Sequence, residues 1–178
     1  MKGKVFLVGA GPGDPDLITR KGLRLIQQAD VIIYDRLIPQ DLLGEARPGA
    51  ELINAGKAPT KHRLSQDEIN SEIVKKAQQG KQVVRLKGGD PLVFGRGSEE
   101  ALVCVENGIP FEIVPGISSA FAVPAYAGVP LTHRELSRSF TVITAHTADD
   151  INYDALVGLG GTLVVLMGVK SLPEWSAR

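Results

Sequence analysis

KVFLVGAGPGDPDLITRKG, residues 4–22, reads as a short apolar strand, a glycine-rich turn and the start of a helix. VFLV (5–8) is the strand, Asp14 stands where a helix cap belongs, and Pro15 suits the first helical position. Ile18, Gly22, Leu25, Ile26 and Ala29 then recur at helical spacing. A strand, a glycine turn and a helix in this order form the architecture of nucleotide sites, but this turn departs from the phosphate-binding pattern. Of the G-x-G-x-x-G fingerprint only Gly9 and Gly11 fit, and the third place holds Asp14. Pro12 removes a backbone amide, and a carboxylate at the helix start would repel a pyrophosphate. Asp35 falls about where a ribose-binding acid belongs in the same template, so the match is tempting and false. The chain holds no G-x-x-x-x-G-K-[ST] loop.

Outward from this stretch, strands and helices alternate. VIIYD (31–35) is a second apolar run and ELIN (51–54) a short third. SQDEINSEIVKKAQQG (65–80) is the clearest helix, with Ser65 and Glu68 as a capping box, Ile69, Ile73 and Ala77 as its core stripe, and Gly80 as its stop. VVRL (83–86) and FEIV (111–114) are further strands, flanking a helix over about 98–107 with Ser98 as cap. Near-continuous apolar strands separated by helices predict an α/β fold whose parallel sheet is covered on both faces. Its ligand belongs at the carboxyl ends of the strands. After a connector, VPLTHREL (129–136), a second alternation begins with FTVITA (140–145), a helix around 153–159 and TLVVLMG (162–168). We therefore expect an N-terminal α/β domain over 1–131 and an incomplete second α/β domain over 132–178.

Two more glycine-bearing loops follow strands. LKGGDPLVFGRGSEE (86–100) offers Gly88 and Gly89 for close backbone approach and Asp90 for a cationic or hydroxyl group, and VPGISSA (114–120) is the third. Three such loops at three strand ends can converge on one cleft, whereas a lone one is as well explained as a tight turn. The ligand such loops suit has an adenosine half, no phosphate and its own positive charge; S-adenosylmethionine, with its sulfonium and ammonium groups, qualifies.

The formal net charge is zero, which argues against general binding to nucleic acid or to an anionic membrane surface. No apolar run approaches the roughly 18 residues of a membrane span, and VFLVGA runs into GPGDPD without a cleavage site. Cys104 is the only cysteine, which excludes an internal disulfide and a cysteine-built cluster and sets a reducing, cytoplasmic compartment as the expectation. His62, His133 and His146 show no ligand spacing, so no metal is expected.

VGAGPGDPDLIT, ADVIIYDRL, AGK (55–57), QDEIN, GKQVVRLKGGDPLVFGRGSEE, GIPFEIVPGISSA, AYAGVPLTHRE and TLVVLMG together resemble the tetrapyrrole methylases, a family of S-adenosylmethionine-dependent enzymes. The resemblance runs from the first strand to about residue 168, and GGDPLVFGRG and THR are its more specific segments. It implies two α/β domains with the cofactor between them, a homodimer, and methylation of two ring carbons of uroporphyrinogen III to give precorrin-2, with S-adenosylhomocysteine as the other product. By position, it assigns cofactor contacts to Pro12, Gly88, Gly89, Asp90, Val93, Ser118, Ser119 and Met167, the proton acceptor to Asp35 and the proton donor to Lys57. Family members continue beyond the equivalent of residue 170, and Thr144-Ala145-His146 stands where Thr-Gly-His is frequent. A methylase of a later corrinoid precursor and an inactive cofactor-binding module are the alternatives.

The implied substrate bears eight carboxylates, so a chain of zero net charge must concentrate its cations where that ring lies. Lys57, Lys61, His62 and Arg63 in one segment, and His133 and Arg134 in another, are the candidates. An ordinary solvated loop is the alternative for Lys61 and Arg63. Methylation leaves the ring cationic until it loses a proton, which gives a base such as Asp35 a task; a structural carboxylate capping a loop or paired with Arg36 is the other reading of Asp35.

Overall fold

The computed structural model describes residues 2–56, 64–145 and 152–175. The chain divides into two compact units, residues 1–119 and 120–178, so α5 (Ser119–Tyr126) falls almost wholly in the second, where the sequence reading drew the line at 131/132.

In the first unit β1 (Val5–Gly9), β2 (Val31–Tyr34), β3 (Glu51–Asn54), β4 (Val83–Lys87) and β5 (Phe111–Val114) form one parallel sheet in the order β3-β2-β4-β1-β5. The pleat sorts the side chains by parity. Phe6, Val8, Ile32, Val84 and Leu86 face α1 (Arg20–Gln28) and α2 (Asp41–Gly44), meeting Leu25, Ile26 and Leu42. Val5, Leu7, Val31, Ile33 and Val83 face α3 (Gln66–Gln78) and α4 (Gly97–Glu106), meeting Ile69, Ile73, Ala77 and Cys104. Sheet neighbours β1 and β4 therefore send the chain to opposite faces, α1 on one and α4 on the other. That divergence opens a crevice at the carboxyl ends of β1 and β4, the switch point of such a sheet.

Three local readings need correction. Asp14 caps only a 3-10 turn (Pro15–Leu17), accepting from the Asp16 amide at 2.9 Å; Ile18 is extended, and α1 begins at Arg20 with the Thr19 hydroxyl accepting from the Gly22 amide. Ser98 is not the cap of α4: Arg96, at φ 56°, holds that position without a side-chain capping bond to the helix backbone. The short α2 was not anticipated, being four residues without a side-chain cap. The capping box of α3 is present with both bonds, Glu68 N to Ser65 Oγ at 3.2 Å and Ser65 N to Glu68 Oε2 at 2.7 Å.

In the second unit β6 (Phe140–Thr144) and β7 (Thr162–Leu166) pair in parallel across α6 (Tyr153–Leu159), followed by α7 (Leu172–Trp175). The Asn152 side chain caps α6 through the Ala155 amide, and Phe121 meets Phe140 edge to face. None of the residues of β6 or β7 is fully buried, and Leu136, Val157, Leu159 and Val169 are exposed. Among the described residues no helix is long and apolar enough to cross a membrane.

At the carboxyl edge of the first unit three backbones touch. A Cβ on Gly116 would sit 2.2 Å from the Gly89 carbonyl oxygen and 2.7 Å from Gly9 Cα. Gly116→Ala is accordingly expected to lower unfolding free energy in urea by about 3 kcal/mol. Gly44→Ala, in α2 with nothing within 4 Å, should leave stability unchanged or raise it by about 0.5 kcal/mol. Equal losses in the two variants would contradict the close approach.

The edge strand β5 carries Glu112, bonded to Lys21 and, at 2.7 Å, to Lys4. Lys21 first and Lys4 second pull its carboxyl down to about 2. A carboxyl held lower in the folded state stabilises above its unfolded value and loses that contribution as pH falls. The Tm difference between the wild type and Glu112→Gln should be full near neutral pH, shrink below about 4.5 and vanish near 2; a difference independent of pH would contradict the pairing.

Candidate active site

The crevice is built from the loops that follow β1, β4 and β5. Gly11 and Gly89, at φ 81° and 68°, form an antiparallel bridge, with Gly89 N donating to Gly11 O at 2.7 Å and Gly11 N to Gly89 O at 3.2 Å. Both sit in the left-handed region that glycine adopts without a Cβ penalty. Asp90 fastens the third loop: its Oδ2 accepts from the Gly116 amide at 3.0 Å and its Oδ1 from the Leu92 amide at 2.8 Å. A Cβ on Gly88 would reach Leu37 Cβ at 3.2 Å, so the loop after β2 lies against the same edge. Beyond Asp90 the chain coils tightly, with the Gly97 amide donating to Pro91 O at 2.9 Å and Phe94 and Arg96 both at positive φ.

Beneath this edge lies a buried charge network. Arg85 and Lys87 occupy the odd positions of β4, so the pleat drives both into the layer under α3 and α4, where they are 2 % exposed. Glu100 of α4, fully buried, accepts from Arg85 Nε at 2.9 Å and from Lys87 Nζ at 3.0 Å. Arg85 also donates to the carbonyls of Ile33 and Leu86, both at 3.3 Å, and through Nη2 to Asp35 Oδ1 at 2.5 Å. Burial works against the guanidinium's charge, but Glu100 and Asp35 outweigh it and raise its pKa. Lys87 goes the other way: burial, then repulsion by Arg85, lowers its pKa despite Glu100. Removing one member of such a group leaves an uncompensated buried charge, at about 3–5 kcal/mol.

The structure brings Pro12, Gly88, Gly89, Asp90, Val93 and Ser118 onto the connected loops of one edge, with Asp35 beside them and Ser119 opening α5. Ser118 is buried, and its Cα lies 3.8 Å from where a Gly89 Cβ would be. Asp35 pairs with Arg85 and not with Arg36. Met167 follows β7 in the second unit at φ 58°, half exposed. His133 and Arg134 belong to an exposed turn of that unit, closed by the His133–Ser137 bridge. The His133 Nδ1 accepts from the amides of Glu135 and Leu136, both at 3.3 Å. Lys57, Lys61, His62 and Arg63 lie outside the described residues. Arg85, Lys87 and Glu100 escaped the sequence reading. The signal was there: two cations alternating in VVRLK, a strand otherwise apolar enough for the middle of a parallel sheet, require a buried anion.

Among characterised proteins the chain is similar to a uroporphyrinogen-III C-methyltransferase from Priestia megaterium, 58% identical over 175 residues that cover 96% of this chain and 74% of that protein. A crystal structure of uroporphyrin-III C-methyltransferase from Thermus thermophilus, complexed with S-adenyl homocysteine, is 40% identical with a TM-score of 0.71, over 94% of this chain and 67% of that one. The X-ray structure of a cobalt precorrin-4 methyltransferase is 32% identical with a TM-score of 0.86, over 98% and 72%. The family model of the tetrapyrrole (corrin/porphyrin) methylases matches residues 4–178, and the chain belongs to that family.

Proposed function

We propose that this chain is an S-adenosylmethionine-dependent methyltransferase that methylates ring carbons of uroporphyrinogen III, giving precorrin-2. The observation that carries the reading is the 58% identity, over 96% of the chain, to a protein of that activity. The loops fit the cofactor's chemistry. Pro12 offers no amide, and the rim carries the carboxylates of Asp14, which accepts from the Asp16 amide, and of Asp90, which accepts from those of Leu92 and Gly116, so it is acidic where a pyrophosphate would need donors. A sulfonium and an ammonium group are suited to such a rim. When bound, S-adenosylmethionine supplies a methyl group on a positively charged sulfur. Pro12, Gly88, Gly89, Asp90, Val93, Ser118, Ser119 and Met167 are the residues that would hold it.

The chain's own residues do the rest. The loops align the ring carbon with the donor and exclude water. Asp35 takes the proton that the methylated ring must lose: Arg85 holds its Oδ1, and Oδ2 has no partner among the described residues. Lys57 is the proton donor, and Lys61, Arg63, His133 and Arg134 receive the substrate's carboxylates. The Nδ1 of His133 is occupied by backbone amides, which leaves Nε2 for a ligand. The exposed apolar side chains Leu136, Val157, Leu159 and Val169 support a homodimer, and the single, buried thiol of Cys104 accords with a cytoplasmic setting.

A second reading, a methylase of a later corrinoid precursor, has the 0.86 TM-score in its favour; the lower identity of 32% weighs against it. Transfer of a labelled methyl group to uroporphyrinogen III tests the choice. We expect precorrin-2 as the labelled product, and Asp35→Asn should slow transfer about 100-fold while S-adenosylhomocysteine affinity stays within about twofold. Label found only in a later corrinoid precursor would replace the first reading with the second.

A further inference from the structure

Glu100 has no part in the chemistry above, yet it is the most enclosed charge among the described residues of the first unit. Three donors converge on its Oε1: Arg85 Nε at 2.9 Å, Lys87 Nζ at 3.0 Å and Gln66 Nε2 at 3.3 Å. Its Oε2 is buried with no hydrogen-bond partner among the described residues. A carboxylate turned wholly toward one set of donors is held by those donors, and here the controlling one is Arg85. That guanidinium is fixed at every nitrogen: Nε on Glu100, Nη1 on the carbonyls of Ile33 and Leu86, and Nη2 on Asp35 Oδ1. The backbone contacts, at 3.3 Å, are the weaker anchors; Glu100 at 2.9 Å is the strong one opposite Asp35.

We propose that Glu100 is a positioning residue for methyl transfer: through Arg85 it sets the carboxylate of Asp35, turning Oδ2 toward the ring. The proposal rests on Asp35 being the proton acceptor. Glu100 lies on α4, reached directly from the Gly88–Asp90 loop, so the helix that follows one rim loop steers a side chain on another. Lys87 balances the charge: with it, Arg85, Asp35 and Glu100 sum to zero, which keeps the arrangement tenable under the sheet.

The test is a double-mutant cycle on the single-turnover rate of methyl transfer to uroporphyrinogen III, with S-adenosylhomocysteine affinity measured alongside. Glu100→Gln should slow transfer about tenfold and leave that affinity within about twofold. Adding Glu100→Gln to Asp35→Asn should slow transfer no further than Asp35→Asn alone. Glu100→Gln with Lys87→Met, which restores charge balance, should fold at least as well as the single variant and show the same loss; it carries the comparison if the single variant unfolds. Multiplicative losses in the cycle, or an undiminished rate in the charge-balanced variant, overturn the role of Glu100 while Asp35 keeps its own. A wild-type rate in Asp35→Asn overturns both.

Discussion

Three backbones occupy one spot at the carboxyl edge of the sheet, and no side chain fits among them. Gly9, Gly89 and Gly116 come so close that a Cβ on Gly9 or Gly116 would lie under 3 Å from a neighbouring backbone. Gly11 and Gly89 add a two-bond bridge, and Asp90 ties the loop after β4 to the loop after β5. Because β1 and β4 are sheet neighbours whose chains leave toward opposite faces, this contact closes the base of a crevice that the topology has opened. Everything assigned to the rim depends on it.

The layer beneath obeys a second constraint, that charge cannot be buried without its complement. The pleat that places Val83 in the core places Arg85 and Lys87 there too. Their partners come from distant parts of the chain, Glu100 on α4 and Asp35 after β2. The network therefore joins the end of β2, β4 and α4 under the rim, and of its two carboxylates Glu100 is enclosed while Asp35 is about a third exposed. The pairs that keep these charges tenable under the sheet also hold Asp35 at the rim.

Much of the fold was legible in the sequence because its signals are local. The capping box of Ser65 and Glu68, the stripe of Ile69, Ile73 and Ala77, and the runs VFLV and VIIY all specify their elements within a few residues. The parallel sheet followed from their alternation. What was not legible depended on contacts between separate segments. Thr19 displaced Asp14 as the cap of α1 because Ile18 is extended, and Arg96 took the cap of α4 in a left-handed conformation that the coiled loop after Pro91 imposes. The alternative reading of Asp35 pairs it with its sequence neighbour Arg36 or makes it a loop cap, whereas the pleat supplies Arg85 from the adjacent strand. The convergence of the three glycine loops was inferred from their places at strand ends; the stacking of glycine on glycine that makes it tight belongs to three dimensions.

The chemistry of this rim suits a positively charged thio-nucleoside and not a pyrophosphate. A crystal structure of the chain grown with S-adenosylhomocysteine tests it most directly. Density for the thioether is expected against the backbone of residues 88–90 and beside Ser118, with the Gly11–Gly89 bridge intact. Density for the ligand away from these loops, or a pyrophosphate group of a dinucleotide lying along residues 9–14 in its place, would contradict it.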